Sequence, residues 1–163
     1  MGTEEVDSFG FQVGKLRKSY KDFPVDKSNP IFPNRLRYEP ILQVRLLHRH
    51  TQSPRVHAFV DSGSPYTLFK YEVAALVGLN PQKSPLFVDD IGGIISGPRE
   101  EVYFHQVNLL FEAGWNISVT AGFVKKLGCS GILGRNGFFD NFRVTFDHST
   151  IPPAFELERI SRA

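Results

Sequence analysis

The residue in this chain best placed to do chemistry is a carboxylate at the end of an apolar run. In "HAFVDSGSPYTLF", residues 57–69, Asp61 closes the run, and Ser62, Gly63 and Ser64 follow it. A carboxylate fixed at the end of a buried strand can act as a catalytic aspartate, moving a proton to or from a reacting group. The plainer reading is a strand that ends in a turn, since Asp, Ser, Gly and Pro all favour turns. Asp-[Ser/Thr]-Gly alone does not choose between them, because about one chain in ten of this length would carry it by chance.

The other reactive side chains offer less. His48, His50 and His57 lie close in sequence, but a metal site needs three or four convergent ligands. No Cys or acidic residue stands at ligand spacing from them, so neither metal nor cofactor is expected. His105, between Tyr103 and Val107, reads as a hydrogen-bonded sheet residue. Cys129 lies beside glycines, and no feature around it calls for a reactive thiol.

The elements that must position Asp61 are mostly strands. The chain has 163 residues, enough for one domain with a real core. Its 14 Gly and 11 Pro are scattered along the sequence and its 15 Phe are many, which suits a β-rich domain with frequent turns. "PILQVRLL" puts Leu42, Val44 and Leu46 on one face, and "VHAFV" does the same for Val56, Ala58 and Val60, so the two predict a hairpin. "YEVAALVGL" has Val73, Leu76 and Val77 at helical spacing, with Gly78 as a stop. "PLFVDDIGGIISGPREEVYFHQVNLLF" reads as a long hairpin with a glycine-rich tip. Further strands are predicted over "NISVTAGFV", "FRVTFD" and "AFELERI", and a short apolar strand then a helical turn over "GILGRNGFFDNF". The phenylalanines of the tail, Phe138, Phe139, Phe142 and Phe146, are expected in core or dimer packing. Residues 1–35 read as an N-terminal arm or linker, with a short strand possible over "SFGFQV", and residues 36–160 as the domain.

Charge and cysteine usage narrow the setting. The net charge of +2 is small, and the basic run Lys15 to Lys21 follows an acidic start, so it reads as a solvated segment and no nucleic acid is expected as partner. One cysteine cannot form an intrachain disulfide, which favours a reducing, cytoplasmic compartment. No apolar run reaches the roughly 20 residues of a membrane span, and the polar N-terminus is not a signal peptide, so no membrane partner is expected. The sequon Asn116-Ile117-Ser118 would matter only in a secreted chain.

Three features stand in a particular order: Asp61-Ser62-Gly63, then Ile91-Gly92-Gly93-Ile94, then Ile132-Leu133-Gly134-Arg135. In that order they resemble a retropepsin, the single-domain aspartic protease of retroviruses and its cellular relatives. The tail is similar to the small retropepsin-like proteins of bacteria and archaea. The resemblance spans roughly residues 36–160. It implies a mostly β fold, a closed barrel or sandwich with a flap hairpin and one or two short helices, acting as a C2 homodimer. It makes Asp61 the catalytic residue, Ser62, Gly63 and Ser64 its supporting loop, and Ile91 to Ile94 the substrate-covering flap tip. Ile132, Leu133 and Gly134 become the apolar element behind the site, and Arg135 a structural arginine. Viral members have Ala where this chain has Ser64, whose hydroxyl could bond the Asp61 carboxylate. They have an Asp paired to the arginine where this chain has Pro65, so the acceptor for Arg135 is open.

The chemistry implied is peptide hydrolysis by water activated between two carboxylates that share one proton, since both cannot stay ionised at close range. This chain has a single Asp-[Ser/Thr]-Gly. The second carboxylate must then come from a second copy across a two-fold axis, with a polypeptide as substrate. The rival reading keeps the same fold as a catalytically silent dimerisation or peptide-binding module. A degradation signal built on Asp-Ser-Gly would need an exposed disordered segment, which the apolar residues 57–60 do not suggest.

Overall fold

The computed structural model describes residues 14–92 and 98–160, and these fall into two compact units. One comprises the described residues up to Leu42 together with those from Phe142 onward; the other is Gln43–Asn141. The possible strand over "SFGFQV", residues 8–13, lies outside the described residues.

In the first unit, β1 (Lys15–Ser19), β2 (Lys21–Pro24) and β3 (Leu36–Glu39) lie near the start of the chain. Residues 15–19 and 21–24, which sequence reading places in an arm, are therefore strands. β1 pairs antiparallel with Ala154–Arg159 near the other end, in the register Leu16↔Leu157. Such a pairing over some 140 residues leaves no local signal. Phe142–Asp147 completes this sheet, and β2 pairs with β3. Leu16, Phe142, Phe155 and Leu157 form its buried apolar positions, whereas Phe146, expected in core or dimer packing, is 40% exposed. Tyr20 packs against Phe155, and its hydroxyl meets His148 Nε2 at 3.0 Å.

Asp147 sits in a network of hydrogen bonds in this unit. Hydrogen bonds from the Ser149 hydroxyl, from Arg17 at 2.8 Å and from the Ser149 N–H hold its carboxyl well below the usual carboxylate range. A depressed folded pKa contributes stability above the unfolded value, and that contribution is lost as pH falls toward the folded value. Wild type should therefore lose its advantage over Asp147→Asn as pH falls from about 6 to about 2. Denaturant midpoints against pH measure this; a difference that stays constant across that range refutes it.

The second unit is a closed barrel. Its strands are β4 (Ile41–His48, counted from Gln43), β5 (Thr51–Gln52), β6 (Val56–Val60), β7 (Leu68–Lys70), β8 (Phe87–Ile91), β9 (Glu100–Phe111), β10 (Asn116–Val124) and β11 (Gly131–Leu133). Hydrogen bonding runs β4-β6-β11-β7-β10-β9, and β9 pairs back to β4 with Val44↔Phe111 and Leu46↔Leu109, which closes the ring. The pairs β6–β11 and β7–β10 are parallel, so the barrel is mixed. Alternation fills it: Val44, Leu46, Ala58, Val60, Leu109, Ile117, Val119 and Ala121 are all buried. The mostly β, closed-barrel fold expected from the sequence is the one observed. β4 and β6 are neighbours as expected, with β5 folded onto β4 in the loop between them.

The helix α1 covers Tyr71–Ala75, shorter than its apolar spacing suggests. Val73 and Val77 are buried, but Leu76 is 46% exposed, and Gly78 at φ +67° turns the chain away. The expected hairpin is present, with β8 and β9 in the register Phe87↔Phe104 to Ile91↔Glu100. The helical turn expected after β11 is an irregular one over Arg135–Phe139, broken at Asn136 and Gly137. Among the described residues, no helix is long and apolar enough to cross a membrane.

Candidate active site

Asp61 leaves the barrel at the end of β6. Its backbone N–H donates to the Leu133 carbonyl at 3.0 Å, continuing the parallel pairing Leu133↔Val60. The carboxylate is exposed. Its Oδ1 accepts the Gly63 N–H at 2.8 Å, and the Ser64 N–H reaches the Asp61 carbonyl at 3.3 Å, a turn in which Asp caps its own loop. A Cβ at Gly63 would stand 3.1 Å from Oδ1, tighter than ordinary contact.

Ser64 is oriented otherwise than the sequence suggests. Its hydroxyl donates to the Tyr66 carbonyl at 2.7 Å, not to the Asp61 carboxylate. Arg135 finds its acceptors in the backbone: Nη1 donates to the Ser62 carbonyl at 2.8 Å and to the Gly63 carbonyl at 3.2 Å. Main-chain oxygens of the Asp61 loop are thus the acceptors that the sequence left open for Arg135. The Arg135 N–H also donates to the Ser64 carbonyl at 2.8 Å, and Asn136 donates to the Pro65 carbonyl from its backbone at 3.1 Å and its side chain at 2.7 Å.

Ile132, Leu133 and Gly134 lie directly beside this loop. Ile132 pairs with Phe59 on one side and Leu68 on the other. At Gly134 the two segments touch: a Cβ there would stand 2.1 Å from the Tyr66 carbonyl oxygen and 2.7 Å from that of Ser64. Only glycine permits this approach. Gly134→Ala should cost about 3 kcal/mol or more in unfolding free energy. Gly92→Ala is the control, since its nearest neighbour is the Arg99 side chain at 3.7 Å. Equal denaturant midpoints for the two variants would refute the reading.

Sequence reading misses Thr67. It is fully buried, donates to the Asn136 carbonyl at 2.7 Å and accepts the Gly134 N–H at 3.3 Å. A lone hydroxyl residue opening an apolar strand was the available signal. Gly92 is described and exposed, while Gly93 and Ile94 of the expected flap tip lie outside the described residues. Ile91 is part-buried and packs against the cluster of Leu68, Val102, Phe104 and Val124.

The remaining reactive groups stand apart from this chemistry. Burial pushes the Cys129 thiol pKa up, against the opposing effect of its hydrogen bond with the Gly131 backbone, and the Asp61 charge adds to the rise. The buried His105 shares a hydrogen bond with the Pro81 carbonyl through Nε2 at 2.7 Å, the sheet role expected of it. His57 Nε2 meets the Gln43 amide at 2.8 Å. Among the described residues no three His, Cys, Asp or Glu converge as metal ligands.

No protein-family model matches the chain, and no curated protein matches it. Among solved structures it is similar to the retroviral protease-like domain of Ddi1 from Leishmania major, at 21% identity over 63% of this chain and 79% of that one, with a TM-score of 0.44.

Proposed function

We propose that the chain is an aspartic endopeptidase whose site forms when two copies bring their Asp61 carboxylates together. The observation that carries this is the construction of the Asp61 loop. An exposed Asp sits at the end of a buried strand: its backbone N–H is held by the Leu133 carbonyl, its carboxylate accepts the Gly63 N–H, and Arg135 clamps the Ser62 and Gly63 carbonyls that follow. An ordinary turn Asp needs no such clamp. In the proposed site one carboxylate takes a proton from water and the other, protonated, polarises the scissile carbonyl. Substrate would lie extended, adding strand-type hydrogen bonds, beneath the hairpin of β8 and β9.

The second reading, a silent dimerisation or peptide-binding module, is favoured by one observation. The Ser64 hydroxyl, which could have oriented the carboxylate, is engaged by Tyr66. Incubation with an unfolded protein, followed by mass spectrometry of the fragments, separates the two. Discrete internal cleavages are expected; an intact substrate across acidic and neutral pH favours the module.

A further inference from the structure

β8 is the edge strand of its sheet. It pairs with β9 on one side, and Leu86, Phe87 and Val88 are 62%, 47% and 48% exposed. An edge strand with so much apolar surface in water is weakly held by burial alone. Its alternate residues Phe87, Asp89 and Ile91 make the contacts that hold it. Phe87 stacks on Phe104 at 4.2 Å, with the rings 9° apart, and Ile91 joins the cluster around Phe104. Between them Asp89 is half-buried, and its Oδ2 accepts a hydrogen bond from the Tyr66 hydroxyl at 2.8 Å.

Tyr66 belongs to the loop that carries Asp61. Its ring sets its edge to Phe104, with centroids 5.1 Å apart, so Phe104 touches both Phe87 and Tyr66. Its carbonyl accepts the Ser64 hydroxyl and lies against Gly134. One residue thus touches the candidate catalytic loop, the element behind it and the edge strand. Among the described residues, Tyr66–Asp89 is the one side-chain hydrogen bond between β8 and anything outside its own hairpin. The Asp89 carboxylate also raises the Tyr66 pKa, so the phenol keeps the proton it donates.

We propose that the Tyr66–Asp89 hydrogen bond is a strap that fixes β8 against the Asp61 loop, so that both are positioning residues of the site. Its consequence for catalysis rests on the peptidase reading; its consequence for β8 does not. The phenol gives the strap direction, and the carboxylate makes it a charge-assisted bond, stronger than a neutral one.

Hydrogen exchange on the full chain tests the strap without requiring turnover. Tyr66→Phe keeps the ring on Phe104 and removes only the donor. The β8 amides that pair with β9 should then exchange about tenfold faster, and those of β10 at the wild-type rate. Asp89→Asn leaves a neutral acceptor and should give a smaller rise. Unchanged β8 protection in Tyr66→Phe overturns the proposal, as does an equal rise in β10, which would mean general destabilisation. On a cleaved peptide, Tyr66→Phe should raise KM severalfold with a smaller change in kcat. If no variant and no wild type cuts anything, the peptidase reading fails, and the exchange result still decides the strap.

Discussion

Asp61→Asn will abolish peptide cleavage and leave the folded chain intact. The substitution is nearly isosteric. The amide oxygen can still accept the Gly63 N–H that Asp61 Oδ1 accepts at 2.8 Å. The backbone N–H at 61 still reaches the Leu133 carbonyl, and the Arg135 bonds run to Ser62 and Gly63, not to the side chain. Unfolding midpoints of the two proteins should therefore agree closely. On the peptidase reading, what disappears is the negative charge that would take a proton from water, and loss of an essential general base lowers turnover by roughly a thousandfold or more. Fragment yield from an unfolded substrate, measured beside thermal unfolding, checks both halves. Cleavage at the wild-type rate would remove Asp61 from the chemistry. Loss of cleavage together with loss of fold would leave the loop structural and the catalytic assignment unsupported.

What the sequence reveals of this architecture depends on whether the signal is local. The barrel strands show a period of two because one face is buried, and Val44, Leu46, Val119 and Ala121 display it directly. Helix α1 was legible, but its length was not. Leu76 sits at helical spacing and still is largely exposed: the buried stripe is Val73, Ala74 and Val77, and Leu76 is the C-cap just beyond the helix. The pairing of residues 15–19 with 154–159 is set by contacts between distant segments, and a polar, basic strand such as "KLRKS" carries little pattern of its own.

The same distinction runs through the candidate site. The types and order of Asp61, Gly63, Leu133, Gly134 and Arg135 stand out in the sequence. Their hydrogen bonds do not. Arg135 takes main-chain carbonyls as acceptors, and these are invisible in a sequence, since every residue has one. Ser64 is ambiguous for a related reason: a hydroxyl can turn to several acceptors, and here the Tyr66 carbonyl is at hand. Thr67 and Asp89 matter through partners 69 and 23 residues away, respectively. The loop is thus held by backbone geometry more than by side-chain pairs, which makes Gly134 as necessary to it as any polar residue.

Activity per chain should fall on dilution and be poisoned by inactive chains. The argument is a count of carboxylates. One chain has one Asp-Ser-Gly, so on the proposed reading the carboxylate that shares a proton with Asp61 comes from a second copy. If the site forms only from two copies, the active fraction follows mass action, and specific activity drops through the concentration range where sedimentation shows the dimer dissociating. Mixing tests the same point without dilution. With about a ninefold excess of Asp61→Asn chains and random exchange, a wild-type chain meets a wild-type partner about one time in ten, so activity per wild-type chain falls about tenfold. The pH profile should be bell-shaped, because the pair works with one proton between two carboxylates and fails both when each holds one and when neither does. An Asp61→Asn excess that leaves wild-type activity untouched, with exchange verified by mass, would mean that each chain works alone. So would full activity at concentrations where only monomer sediments. Either result would require a second acid from within the chain, and Asp61 would then have to act by some route other than a pair.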